Sequence, residues 1–103
     1  MNTMTLTFTG RHIDLTPGLK THAEEKMQHL ESHFDKAMSA DIIFSVEKNR
    51  QIAEATLHLP HHVNFHATAE TDDMYASIDL MVKKLETQIQ RHKEKELSER
   101  HKQ

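Results

Sequence analysis

Hydrophobic and polar positions alternate along most of this chain, and the places where the alternation changes period mark its elements. Met4, Leu6 and Phe8 alternate with Thr3, Thr5, Thr7 and Thr9. That is the period-two pattern of a strand with one buried face. Ile42, Phe44 and Val46 repeat it, with Ile43, Ser45 and Glu47 on the opposite face. Ala53, Ala55, Leu57 and Leu59 predict a third strand, and Val63, Phe65, Ala67 and Ala69 a fourth. The polar stretch from Glu47 to Gln51 reads as a turn. An odd-length turn over Pro60, His61 and His62 pairs Leu59 with Val63 and Leu57 with Phe65, which keeps both apolar sets on one side of the sheet.

Two stretches carry helical spacing instead. Thr16-Pro17 fits an N-cap followed by proline in the first turn, and Leu19, Ala23, Met27, Leu30 and Phe34 form the apolar stripe of a first helix running to about Phe34. In the second, Met74, Ile78, Val82, Leu85 and Ile89 recur at steps of three or four, one face of a helix with about 3.6 residues per turn. Tyr75 and Met81 are expected to widen that stripe. Thr71 or Asp72 is the expected cap, and Asp72 and Asp73 place negative charge at the positive end of the helix dipole.

The order is therefore β-α-β-β-β-α, an α+β fold. Each strand has one apolar and one largely polar face, so a four-stranded mixed sheet should carry both helices on one side. Strands one and two should run parallel through a right-handed crossover. The last five elements follow the order of a double-stranded-RNA-binding domain, which reads shape and phosphates. Phe8, Phe44 and Phe65 all have buried parity, so stacking of bases on the sheet is not expected. Residues 1–92 read as one α/β domain and 93–103 as a charged helix end or tail.

Charge sharpens this picture. Formal net charge is −3 over 103 residues, yet residues 83–103 carry seven Lys or Arg against four Asp or Glu, and residues 1–82 six against twelve. A basic end on an acidic body favours one specific anionic site over loose binding along any polyanion. On the second helix, Lys84, Arg91, Lys95 and Lys102 fall close to one line at about 100° per residue. Such a row is either a solvated face or an anion-binding one. The apolar stripe fades after Ile89, leaving only Leu97 strongly apolar, which favours the second reading. On the first helix His22, Lys26, His29 and His33 share one flank. If the helices pack side by side, that flank is expected to meet the Lys84–Arg91 row in a groove for phosphates, strengthened as the histidines protonate below about pH 6.5.

The remaining chemistry is sparse. Cysteine is absent, which excludes disulfides, thiolate metal sites and a cysteine nucleophile. No phosphate-binding glycine loop or nucleophile elbow is present, and no carboxylate pair is visibly placed in a pocket, so the chain reads as a non-enzyme needing no cofactor. His29 and His33, and the cluster His58, His61, His62 and His66, invite a metal reading, but no HExxH motif accompanies them. Nothing resembles a signal peptide or a membrane span of roughly 20 apolar residues, so a cytoplasmic protein with no membrane partner is expected.

Several short segments resemble the ribosome hibernation-promoting factors, the sigma-54 modulation protein family that includes ribosome-associated inhibitor A. Thr9-Gly10-Arg11-His12-Ile13-Asp14-Leu15-Thr16 is similar to the family's TG-x-x-x-x-(V/L)-T opening. Val46-Glu47-Lys48 is similar to its VEK segment, and Ala55-Thr56-Leu57 fits its third strand. Most specific is Glu70-Thr71-Asp72-Asp73-Met74-Tyr75-Ala76-Ser77-Ile78-Asp79, which resembles the DMYAAID signature opening the second helix.

The resemblance implies a protein made when growth slows. It would sit in the decoding channel of the small ribosomal subunit over the A and P sites, exclude tRNA and mRNA, and keep idle ribosomes stored. It implies rRNA contacts at Lys26, Lys83, Lys84 and Arg91, with Lys48 also a candidate and Lys95 continuing the row; His22, His29 and His33 would add pH-dependent contacts. It implies a short form, monomeric when free, that acts with the separate ribosome modulation factor to make ribosome dimers. Two other readings stand beside it: a relative that blocks dimer formation, and a histidine-rich metal-binding protein. The chain departs from the family in being net acidic.

Overall fold

A computed structural model describes residues 4–31, 39–60 and 62–101, with no account of the side chains of Glu31 and residues 96–101. His33, Phe34, His61 and Lys102 lie outside the described residues, as does the side chain of Leu97. The elements are β1 (Thr5–Arg11), α1 (Pro17–Glu31), β2 (Ser39–Glu47), β3 (Arg50–Leu59), β4 (Val63–Thr71) and α2 (Met74–His101). The sheet order is β1-β2-β3-β4. β1 and β2 run parallel and the other neighbours antiparallel, the mixed sheet that the alternation predicts.

Parity decides which face is buried. Ile42, Phe44, Ala53, Ala55, Leu57, Phe65, Ala67 and Ala69 point to one side and are buried there against Leu19, Ala23, Met27 and Leu30 of α1 and Met74, Ile78, Met81, Val82, Leu85 and Ile89 of α2. The rings of Phe8 and Phe44 lie 6.2 Å apart on that side. Under α2 the strands offer mainly alanine: Ala53 pairs with Ala69 and Ala55 with Ala67 across β3 and β4. This low floor lets the large side chains of α2 settle onto the sheet. Filling it would cost about 1–3 kcal/mol, as enlargement of a packed core does.

Local chemistry sets the joints. The hydroxyl of Thr16 accepts from the amide of Leu19 at 3.2 Å, so Thr16 caps α1 and Pro17 opens it. The cap of α2 is Asp73 rather than Thr71 or Asp72. Its carboxylate accepts from the Ala76 amide at 3.3 Å, while the Thr71 hydroxyl accepts from the Asp73 amide at 3.0 Å. Threonine thus braces the cap and aspartate makes it. β1 continues through Gly10 to Arg11; a Cβ on Gly10 would stand 2.6 Å from the carbonyl oxygen of Ile13, so only glycine lets the chain turn so closely there.

Both hairpins close tightly. The turn expected over Glu47–Gln51 shrinks to Lys48 and Asn49, because Glu47 pairs with Arg50 and Val46 with Gln51. Lys48 takes a left-handed φ of 57° to make it. The second hairpin pairs Leu59 with Val63 and Leu57 with Phe65, the odd-length register that pattern matching requires, with His62 left-handed at 61°.

Tyr75 does not widen the buried stripe of α2. Met81 is fully buried, whereas Tyr75 is 43% exposed. Its ring meets His22 edge-on at 5.0 Å, and its hydroxyl sits where a Cβ on Gly18 would come within 2.8 Å. Tyr75 is therefore a clasp between the helices. α2 continues without a break past residue 92 to His101; its 28 residues extend about 42 Å at 1.5 Å each. The longest strand, at 10 residues, spans about 33 Å, so the last turns of α2 overhang the sheet.

Candidate nucleic-acid interface

Cations gather on the helix layer, and packing divides them into two groups. The first lies along the seam between helices. His22 Nε2 is 2.8 Å from Asp79 Oδ1, and Lys26 Nζ is 3.8 Å from the same oxygen. His29 is exposed on the same flank of α1. At about 100° per residue, Asp79 and Glu86 fall within about 20° of each other on α2, so the seam sets basic α1 against acidic α2.

The second group lies on the far side of α2. Lys84 Nζ donates to the Thr68 carbonyl at 2.7 Å. Gln88 Nε2 donates to the His66 carbonyl at 2.6 Å, and Gln88 Oε1 accepts from the His66 amide at 3.3 Å. These backbone groups belong to the outer edge of β4, the last strand of the sheet. The row therefore covers an open edge, which would otherwise invite pairing with another chain. Lys84 keeps two further N–H donors for an anion, and it, Arg91 and Lys95 are all exposed.

The expected groove shared by the histidine flank and the Lys84–Arg91 row does not form. Asp79 and Lys84 are separated by about 140° around α2. One faces α1 and the other faces β4, so the crest of α2 stands between the two groups. Lys83, about 40° from Asp79 and exposed, sits on that crest. The cations thus form a band across the helix layer, from Lys26 over Lys83 to Lys84 and Arg91. Lys48 is not part of it. It sits in the β2–β3 turn, at the end of the sheet where β4 leads into α2, while Arg91 lies about 26 Å further along the helix.

The open face of the sheet carries different chemistry. His58 Nε2 faces Asp41 Oδ2 at 3.1 Å, and Nδ1 faces Asn64 Oδ1 at 3.0 Å. With acceptors at both ring nitrogens, the hydrogen bond to Asp41 foremost, the His58 pKa is raised above its ordinary value. The hydroxyl of Thr7, and then His58, hold Asp41 below the usual carboxylate range. His66 pairs with Glu54 at 3.3 Å and with Thr56 at 2.9 Å. Each histidine is committed to its own carboxylate, and no group of three or more His, Cys, Asp or Glu converges for a metal among the described residues.

A band of cations on a non-stacking α/β layer is the setting for the comparisons with known proteins. The family described as sigma 54 modulation protein / S30EA ribosomal protein matches residues 6–96. The chain belongs to this family. A ribosome hibernation promoting factor from Azotobacter vinelandii is 44% identical over 94 residues, covering 91% of this chain and 87% of that protein. The factor of the same description from Escherichia coli K12 is 37% identical over 92 residues, covering 89% and 96%. Among solved structures, a ribosomal subunit interface protein from Coxiella burnetii is 33% identical with a TM-score of 0.76, covering 86% of this chain and 97% of that one. The N-terminal domain of Protein Y from Thermus thermophilus is 29% identical with a TM-score of 0.79, covering 89% and 99%. Within the family's boundaries lie every cation of the band and nearly the whole sheet. No helix among the described residues is long and apolar enough to cross a membrane.

Four features escape the sequence pattern: the pairing of Asp79 with His22 and Lys26, the capping of the β4 edge by Lys84 and Gln88, the exposure of Tyr75, and the exposure of Leu80 at 44%. The first two left a signal in opposite polarity on the two helices, but no pattern within one helix says which neighbour it will face.

Proposed function

We propose that the chain is a ribosome hibernation factor that binds the small subunit in the decoding channel, over the A and P sites. Its cationic helix layer engages rRNA phosphates, and its body occupies the space of tRNA and mRNA. It inhibits translation without catalysing a reaction and keeps idle ribosomes stored as dimers, acting on the same ribosome as ribosome modulation factor. The observation that carries this reading is the family match across both helices and all four strands, joined to the band from Lys26 to Arg91. The names of its relatives support the ribosomal target.

The phosphate contacts proposed are Lys26, Lys83, Lys84, Arg91 and Lys95. The test is co-sedimentation of the purified protein with small subunits on a sucrose gradient, followed by competition with tRNA. Stoichiometric binding that tRNA displaces is expected; binding that tRNA leaves untouched would place the protein elsewhere on the ribosome. Ribosome profiles from stationary cells with and without the protein then separate two outcomes. Loss of dimers on deletion fits storage, and gain of dimers fits the dimer-blocking alternative.

A further inference from the structure

The face of the sheet turned away from the helices forms a regular grid. Reading across β1 to β4, Thr9, Ile43, Glu54 and Thr68 make one row, and Arg11, Ser45, Ile52 and Glu70 the next. Ile43 and Ile52 are therefore diagonal neighbours on the two central strands, roughly 7–8 Å apart in such a register. Both are partly exposed, and neither belongs to the core cluster or packs against it. No element covers them among the described residues.

Around this aliphatic pair stand Asp41, Glu47, Glu54 and Glu70, against two guanidiniums, Arg11 and Arg50. Arg50 is held by Glu70 at 3.3 Å. Asp41 is paired with His58 and also accepts from the Thr7 hydroxyl, and Glu54 is paired with His66. Four carboxylates against two guanidiniums leave the face negative even with His58 protonated, while the cations of the helix layer lie on the other side of the molecule. Among the described residues it has no Phe, Tyr or Trp on which a base could stack, its imidazoles, His58 and His66, are held by Asp41 and Glu54, and its carboxylates repel phosphates. An apolar centre within a charged rim is instead the anatomy of a protein contact.

We propose that this face docks a Lys- and Arg-rich protein segment, with one aliphatic side chain seated on Ile43 and Ile52 and its cations on the surrounding carboxylates. Resting on the ribosome reading, the segment belongs to a basic protein of the small subunit, held while the opposite layer holds rRNA. The protein would then bridge RNA on one side and protein on the other.

Two measurements decide it. The first needs no ribosome: the isotope-labelled chain is titrated with a nonapeptide of Lys and Arg bearing a central Leu, and with its central-Ser counterpart. The Leu peptide should bind at least about threefold tighter and shift the amide signals of Ile43, Ile52 and Glu54. The variant I43T/I52T, β-branched to keep strand propensity, should erase the preference, and E54Q/E70Q should weaken both peptides. Equal binding of the two peptides, or shifts confined to α2, would overturn the proposal. The second places a photoreactive benzoylphenylalanine at Ser45 and, separately, at Thr87, exposed one turn past Lys83 on α2, in protein bound to purified small subunits. Ser45 should cross-link to a Lys- and Arg-rich protein segment, and Thr87 to rRNA. Cross-linking of Ser45 to rRNA, or to nothing while Thr87 still cross-links, would overturn the proposal with the ribosome reading intact. Failure of the unmodified protein to co-sediment would remove the ribosome reading, and the peptide titration would still decide whether this face takes a basic segment.

Discussion

Gln88 reaches from α2 to the outer edge of β4 and meets both backbone polar groups of His66, the carbonyl at 2.6 Å and the amide at 3.3 Å. A single side-chain amide thus stands where the next strand would be. Together with Lys84 on the Thr68 carbonyl and Arg50 on the Glu70 carbonyl at 3.3 Å, it closes an edge that would otherwise template association. Replacing Gln88 by Ala should lower stability by about 1–2 kcal/mol, from two partly exposed hydrogen bonds worth roughly 0.5–1.5 kcal/mol each. It should also raise self-association, read by denaturant titration and light scattering.

Charge reversal on the band separates binding from folding. Arg91→Glu should change stability by no more than about 0.5 kcal/mol, as at an ordinary surface site. Lys84→Glu should cost more, because it also strips the donor from the Thr68 carbonyl. Either should weaken ribosome binding, and the slope of log affinity against log salt should fall by about 0.7–0.9 for each phosphate that is no longer neutralised. Unchanged co-sedimentation in the double variant would leave the row as edge cover alone.

Ser77 is fully buried, yet its hydroxyl is satisfied. It donates to the Gln51 carbonyl at 2.7 Å and lies 2.7 Å from the Thr71 hydroxyl. It ties the first turn of α2 to the start of β3 and to the brace of the α2 cap. Ser77→Ala should cost about 1–3 kcal/mol, because a part-buried carbonyl is left without its donor, while ribosome affinity measured well below the melting temperature should hold. Ser77→Gly should cost more, adding the helix penalty of glycine, about 1 kcal/mol.

The Asp41–His58 pair predicts a pH window. His58, raised by the hydrogen bond to Asp41, contributes stability below its unfolded value of about 6.5, and this contribution is lost as pH rises through its folded value. Asp41, lowered first by Thr7 and then by His58, contributes above its unfolded value of about 3.9, and this contribution is lost as pH falls. The pair should therefore stabilise most between about pH 4 and 6.5. The melting temperature of H58Q should trail the wild type in that window and approach it near pH 8. Both groups are well exposed, so added salt should shrink the difference. A gap that is constant with pH would mean that packing, not charge, links them.

Periodicity alone determined most of the core, though not the exposure of Tyr75 or the burial of Ser77. Alternation put Phe44, Leu57 and Phe65 on one face, three-four spacing put Ile78, Leu85 and Ile89 opposite them, and the parity of Leu59 and Val63 forced an odd-length hairpin. These follow from rules that act within one element or across one tight turn, where the backbone leaves a side chain little choice of direction. The candidate cations were legible in the same way, as rows on helices, and short ordered motifs carried the family. What periodicity could not reach was the rotation of one helix against its neighbours. Only the seating of α2 on its alanine floor turned Asp79 toward His22 and Lys26 and Lys84 toward the β4 edge, so that two basic rows which share no groove became one band over the crest at Lys83. That rotation depends on how side chains from several elements fill a shared volume, and no stretch of the chain contains it.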